Sequence, residues 1–166
     1  MQTPLITIGL EIHLKLSSES KIFCRCKNDQ TLEHNQPNTN ICPICTWQPG
    51  ALPQLSAEVV EKGLLIGKAL NCRFNTCSRF DRKSYFYPDL PMGYQITQLY
   101  SPINVDGQVA FFLDNYEQEK KVWITDAHLE CDTAKALHQG GTMLLDFNRA
   151  GTPLIEIVTG PDFTSA

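Results

Sequence analysis

Ile6-Thr7-Ile8-Gly9-Leu10-Glu11-Ile12-His13-Leu14-Lys15-Leu16 alternates strictly between apolar and polar residues, and a period of two is the signature of a β-strand with one face turned to a core. Read this way, Ile6, Ile8, Leu10, Ile12, Leu14 and Leu16 face inward, while Glu11, His13 and Lys15 lie together on the polar side. The same period returns in Lys121–Cys131, placing Asp126, His128, Glu130 and Asp132 on one face. Further strands are expected at 94–100, at 108–113 after an Asp106-Gly107 turn, at 142–147 and at 153–159. One helix stands among them. Ser56 caps it, Glu58 sits in its first turn, Val59, Val60, Gly63, Leu64, Ile66 and Leu70 form its apolar stripe, and it ends near Asn71. One helix and mostly neighbouring strands give an α+β fold with a mainly antiparallel sheet.

Composition agrees. The chain has 166 residues, 42% hydrophobic and 19% charged, with 10 Gly and 10 Pro, enough to bury a core and rich in turns. Neither disorder nor a long-helix protein is compatible with these numbers. No apolar run approaches a membrane span and the N-terminus lacks a signal-peptide pattern, so no membrane partner is expected and the expected location is the cytoplasm or an organellar matrix. The net charge of −4 is divided unevenly: residues 15–83 hold 10 Lys/Arg against 6 Asp/Glu, and 84–166 hold 4 against 11. Such a split suits a basic surface for a polyanion beside an acidic cluster for a cation, and equally an ordinary solvated surface.

Three groups of residues carry candidate chemistry. Cys24-Arg25-Cys26 and Cys42-Pro43-Ile44-Cys45 bracket 15 residues in an aperiodic stretch, 23–53, and four thiolates so spaced can close a structural tetrahedral zinc site; four plain thiols are the alternative. Cys72 and Cys77 read as ordinary thiols. Glu11 and His13 on one strand and His128 and Glu130 on another can surround a hard cation such as Mg²⁺, or line a solvent-facing sheet. Glu156, set in Pro153-Leu154-Ile155-Glu156-Ile157-Val158, needs a partner because its neighbours are apolar; Arg149 can pair with it or reach a phosphate. In the long loop 78–93, Arg79, Arg82 and Lys83 can meet phosphate charge, and Tyr85, Phe86 and Tyr87 can stack or pack. No glycine-rich phosphate loop is present.

Gly9-Leu-Glu-Ile-His13, Pro37-Asn-Thr-Asn-Ile-Cys-Pro43, Pro49-Gly-Ala-Leu-Pro53, Phe80-Asp-Arg-Lys-Ser-Tyr-Phe-Tyr-Pro-Asp89 and Leu145-Asp-Phe-Asn-Arg-Ala-Gly-Thr-Pro-Leu-Ile-Glu-Ile-Val158 together resemble the B-subunit family of the glutamyl-tRNA(Gln)/aspartyl-tRNA(Asn) amidotransferases. The resemblance implies a glutamine-synthetase-like catalytic fold. It implies that Mg²⁺ and ATP phosphorylate the side-chain carboxylate of misacylated Glu-tRNA(Gln) or Asp-tRNA(Asn), and that ammonia from an amidase subunit displaces the phosphate in a complex with a small third subunit. By that resemblance Glu11, His13, His128 and Glu130 fall on the metal and nucleotide site and are the expected catalytic residues, and Cys24, Cys26, Cys42 and Cys45 fall on a zinc site present in some members; with the reading of the residues themselves, Glu11, His13, Glu130 and Glu156 are the expected Mg²⁺ ligands and Arg82, Lys83, Tyr85 and Arg149 the expected ATP-binding residues. Residues 1–166 then form the N-terminal part of the catalytic domain, with 23–53 as its Cys-rich lobe and the helical and tRNA-binding tail domains absent. Four positions depart from the pattern: Cys131 replaces an acidic residue expected beside the metal site, Trp47 a small residue, Met92 a lysine and Gly160 a glutamate. Cys131 and the early stop support the alternative of an inactive scaffold that only binds a partner or tRNA. A small zinc-ribbon nucleic-acid binder fits less well with the acidic C-terminal half.

Overall fold

The computed structural model describes residues 6–29, 31, 36–113 and 116–165. The strands are β1 (Glu11–Lys15), β2 (Arg73–Phe74), β3 (Asp81–Ser84), β4 (Tyr94–Thr97), β5 (Asn104–Leu113), β6 (Gln118–Cys131), β7 (Lys135–Gln139), β8 (Thr142–Asp146) and β9 (Pro153–Thr159), with one helix, α1 (Ala57–Ala69), among the described residues. Five strands form an antiparallel sheet in the order β1-β9-β6-β5-β2, and β3-β4 and β7-β8 are separate two-stranded ribbons. The α+β, mostly antiparallel expectation holds.

Several local readings change. Asp106-Gly107 is not a turn: β5 runs through it in unbroken register, Val105 pairing with Asp126 and Gly107 with Ile124, while Asp106 takes φ +54. A side chain at 107 would put a Cβ 2.4 Å from Cys72 Sγ, so only glycine lets α1's exit pass so close to the sheet. The loop 78–93 contains β3, which pairs with β4 around a shorter loop, and the strand expected at 94–100 stops at Thr97. β7 escapes the alternation test, but Gly140 and Gly141, at φ +57 and +80, supply the two left-handed positions of its hairpin with β8. Ser56 occupies the N-cap without a side-chain cap bond.

The largest correction concerns the opening strand. Its period is right and its buried face is not: β1 is an edge strand, and Leu10, Ile12 and Leu14 are 42%, 45% and 46% exposed, with only Leu16 in the core. The reason is coverage. α1 packs on β5, β6 and β2 and leaves the apolar side of β1 open, so the core forms instead from Ile22, Phe23, Val59, Ile96, Ile103, Ala127, Leu129, Cys131 and Ile155.

Asn104 fastens the helix to that sheet. Fully buried, its amide donates to Gly63 O and Ala127 O, both at 3.0 Å. A Cβ on Gly67 would lie 1.9 Å from Asn104 Oδ1. Gly67→Ala should therefore destabilise the protein by about 1–3 kcal/mol from overpacking, despite alanine's better helix propensity. A urea midpoint equal to or above the parent's would show that Asn104 can turn aside.

Candidate functional site

Antiparallel pairing of β1, β9 and β6 sets the polar residues in rows. Glu11 and Asp126 both pair with Val158, His13 and His128 both with Glu156, and Lys15 and Glu130 both with Leu154. The period of two puts all of these residues on the face opposite the core. Glu130 and Glu156 are buried there, at 2% and 6% exposure.

Burial of two carboxylates side by side needs positive charge. His13 Nε2 lies 3.0 Å from Glu130 Oε1 and 3.1 Å from Glu156 Oε2, and His128 Nε2 is 3.4 Å from the same Glu156 oxygen. Asp126 Oδ1 holds His128 Nδ1 at 2.6 Å. Burial raises the Glu130 pKa, and the neighbouring Glu156 charge adds to the rise. For His128 burial pulls the pKa down, but the Asp126 hydrogen bond and the charges of Asp126, Glu156 and Glu130 more than offset it, and the group stays above its ordinary value.

His13, Glu130 and Glu156 offer three ligand atoms within 4.8 Å of one another. An octahedral Mg²⁺ at about 2.1 Å from its ligands separates adjacent ones by about 3.0 Å, and the two short contacts of His13 match that edge. Glu11, one row away, lies outside this trio.

A cavity of about 380 Å³ opens beside the trio, lined by His13, Lys15, Lys83, Tyr85, Gln95, Glu130, Asp132 and Leu154. β3 decides which basic residue reaches it. Lys83 and Tyr85 project in, whereas Arg82 turns to the other side, 4.8 Å above the Tyr94 ring, into an apolar cavity with Trp47, Phe80 and Met92. Burial first, then the Asp89 charge, pushes the Tyr85 pKa to about 12, so this phenol remains a hydrogen-bond donor. Arg149 does not meet Glu156. It donates to Thr133 O at 3.1 Å and Ala134 O at 2.9 Å and pairs with Asp132 at 3.5 Å, clamping the chain after β6.

The second cluster lies in the lobe between β1 and α1. The sulfurs of Cys24, Cys26, Cys42 and Cys45 are all within 4.8 Å of one another, and Cys42 and Cys45 are 3.8 Å apart. With Zn–S bonds of about 2.3 Å, a tetrahedron has edges of about 3.8 Å; the four thiols fit that ion. Cys45 carries the favoured thiolate: the hydrogen bond from Cys24 lowers its pKa and, with the Lys21 charge and the Cys42 amide, outweighs burial. The described part of the lobe has almost no ladder bonding of its own. It hangs on the end of β8 and the connection that follows, where Asn148 Oδ1 accepts from Thr39 N and Asn40 N, and Asp146 Oδ1 from Asn38 N.

A family model described as the GatB/GatE catalytic domain matches residues 6–166. The chain belongs to the GatB/GatE catalytic domain family. The B subunit of the aspartyl/glutamyl-tRNA(Asn/Gln) amidotransferase of Clostridium botulinum strain Hall is 52% identical over 155 residues, 93% of this chain and 32% of that protein. Its namesake in Clostridium tetani strain Massachusetts is 49% identical over 158 residues, 95% of this chain and 32% of that protein. The chain spans about a third of the length of these curated relatives.

Within this GatB/GatE domain, the position expected to remove a charge beside the metal ligands does not do so. Cys131 lies on the core side of β6, fully buried, its thiol 3.6 Å from Ile96 O, and burial pushes its pKa to about 12. Trp47 and Met92 line the apolar cavity, and Gly160 donates its amide to Trp123 O. None of the four departures lines the cavity beside His13 and Glu130. Lys15 and Gln95, not singled out from sequence, do line it. Lys15 was within reach of the same alternation that marks Glu11 and His13, whereas neutral Gln95 enters only through the β3-β4 pairing. Cys72 and Cys77 are free thiols away from both clusters.

Proposed function

We propose that this chain is the carboxylate-activating part of the B subunit of a glutamyl-tRNA(Gln)/aspartyl-tRNA(Asn) amidotransferase, working in the glutamine-synthetase-like manner. The observation that carries the reading is the trio His13, Glu130 and Glu156 beside a cavity whose floor takes His13, Glu130 and Lys15 from the sheet and whose other wall holds Lys83 and Tyr85. Acidic ligands on the sheet with ammonium groups beside them and across the cavity suit a metal-bound nucleotide. Family membership and the names of the relatives support the same chemistry.

In this proposal an oxygen of the substrate side-chain carboxylate attacks the γ-phosphorus of ATP, the bond to ADP breaks, and ammonia then replaces phosphate at the acyl carbon, losing a proton. A carboxylate is a poor acyl donor, and phosphorylation supplies the leaving group. Mg²⁺, when held by the trio, supplies the charge that offsets the phosphoryl oxygens. Lys83 neutralises phosphate from the opposite wall and Lys15 from the sheet itself, beside Glu130. Tyr85 donates a hydrogen bond. His128 donates from Nδ1 to Asp126 and steadies Glu156 through Nε2, and Glu11 adds negative charge one row outward. Arg149 acts at one remove, by fixing the 132–134 segment that carries Asp132 to the cavity rim. The amidase and small third subunits supply ammonia and docking, and the cytoplasm or an organellar matrix is the setting.

The test is ADP release from Mg-ATP by this chain mixed with its amidase partner, with and without Glu-tRNA(Gln). Release that depends on the misacylated tRNA is expected. Silence while the partner remains bound would reject the activity of this segment in favour of a scaffold role.

A further inference from the structure

Lys21 is the largest fully buried side chain among the described residues, with 1% of its surface exposed. A lysine so enclosed needs acceptors for its ammonium, and its three contacts are specific: Asn40 O at 3.0 Å, Phe147 O at 3.4 Å and Cys45 Sγ at 3.6 Å. The first and last belong to the lobe, the second to the β8–β9 connection. The next residue repeats the link through its backbone, Ile22 N donating to Gly151 O at 3.0 Å. Gly151 supplies the left-handed backbone of this turn at φ +82 and packs against both residues, its Cβ position 3.5 Å from Lys21 Cδ and Cys45 Cβ. From Gly151 the bonding continues into the acidic face: its amide donates to Asp132 O at 2.9 Å, and Asp132 N donates to Thr152 O at 2.8 Å.

We infer that Lys21 is a positioning residue for the thiolate centre, balancing its charge and locking an occupied four-cysteine site to the Phe147–Thr152 turn that leads into β9 and Glu156. This rests on the reading that the four cysteines hold a metal. Four thiolates around a divalent cation carry a net charge of −2, and enclosing that charge beside the core demands a cation and hydrogen-bond donors at the sulfurs. Lys21 supplies the cation to Cys45, and Cys42 N supplies a donor to the same sulfur at 3.2 Å. Because the same ammonium also holds Phe147 O, an ordered Cys45 fixes Lys21 and Lys21 fixes the turn. Loss of the metal frees Cys45, and the turn loses one of its ties to the lobe.

The experiment uses the full chain and zinc alone. Competition with a chromophoric chelator gives the zinc affinity of the parent and of Lys21→Met, which keeps an apolar stem of similar length without the charge. A drop of about 10–100-fold is expected. Equal affinity in the two proteins overturns the role of Lys21, and a parent that binds no zinc overturns the metal reading beneath it; the parent measurement alone tells these apart. Should Lys21→Met fail to fold, hydrogen exchange on the parent with and without zinc decides the coupling. Removal of zinc should speed exchange at Ile22, Ala150, Gly151 and Thr152 along with Thr46 and Gln48 of the lobe. Loss of protection at Thr46 and Gln48 with none at the turn overturns the inference.

Discussion

Glu130→Gln is expected to yield a protein that is more stable than the parent in the absence of cations and that gains nothing from Mg²⁺. Glu130 is buried beside Glu156, and its raised pKa means that the folded state holds this proton more tightly than the unfolded chain does. The sign of the pH effect follows. Its stabilising contribution is complete below the ordinary value of 4.5 and is lost as pH rises through the higher folded value. His128 behaves alike: its contribution is complete below 6.5 and disappears as pH rises through its raised folded value. The ionised form of Glu130 is poorly solvated in the cation-free parent, and the charges of His13, His128 and Lys83 offset it in part.

Glutamine keeps the shape and removes the charge, so the apo variant should gain about 1 kcal/mol, as commonly happens when a functional site is relieved of its strain. The gain should appear in the difference between parent and variant as pH rises from 4.5, with the other carboxylates cancelling. The cost is function. A neutral amide is a weak Mg²⁺ ligand, and the proposed phosphoryl transfer should fall at least about 10³-fold, as it does when a principal electrostatic group is lost. Urea titrations at several pH values, with and without Mg²⁺, check both halves. A variant that is less stable than the parent at neutral pH and still responds to Mg²⁺ would show Glu130 to be a structural partner of His13 rather than a cation ligand.

Period-two alternation made the site more legible than the fold around it. It put Glu11 with His13 and His128 with Glu130, and antiparallel pairing across Glu156 brought the two pairs together. Alternation states which residues share a face, not which face is covered. For β1 neither side is covered, because the decision belongs to α1, which is anchored by Asn104 and admitted by Gly63 and Gly67 over other strands. Cys131 illustrates the same limit. Adjacent to Glu130 in sequence, it is on the opposite side of the strand, so reading nearness along the chain as nearness in space assigns it to the site in error. Arg149 and Glu156 were natural partners by charge, yet the clamp on 132–134 depends on a loop path that no local pattern encodes. The cysteine lobe was the reverse case: without periodicity, it was legible through ligand spacing alone.

That lobe should be the first part of the protein to fail when its thiolates are disabled. Among the described residues between Leu16 and Ser56 the backbone has the Ser20–Lys27 bridge with Asn28 N on Glu19 O, a few turn bonds around Cys42–Ala51, and the bonds of Gln54 N to Phe23 O and Ser56 N to Ile22 O that close its base, too little ordered structure to hold itself against chain entropy. Its inner residues nevertheless complete the core: Ile22 and Phe23 belong to it, and Phe23 packs edge-on against Phe80 at 5.2 Å. Cys24 and Cys45, at 5% and 2% exposure, are enclosed with no disulfide to stabilise them. A structural zinc ion contributes its binding energy as folding energy, about 10–16 kcal/mol in isolated zinc-finger peptides, and here it would replace the missing ladder. Cys45→Ser should therefore abolish stoichiometric zinc and expose 23–53 to proteolysis. It should also lower global stability by about 3–5 kcal/mol, since a thiolate ligand is lost and the ammonium of Lys21 is left beside a weaker acceptor. Chelation of the parent should reproduce the cleavage pattern. If the lobe keeps its resistance to protease after metal is removed, its order comes from the Asp146 and Asn148 hydrogen bonds and the core contacts of Phe23, and the four cysteines are buried thiols without a structural ion.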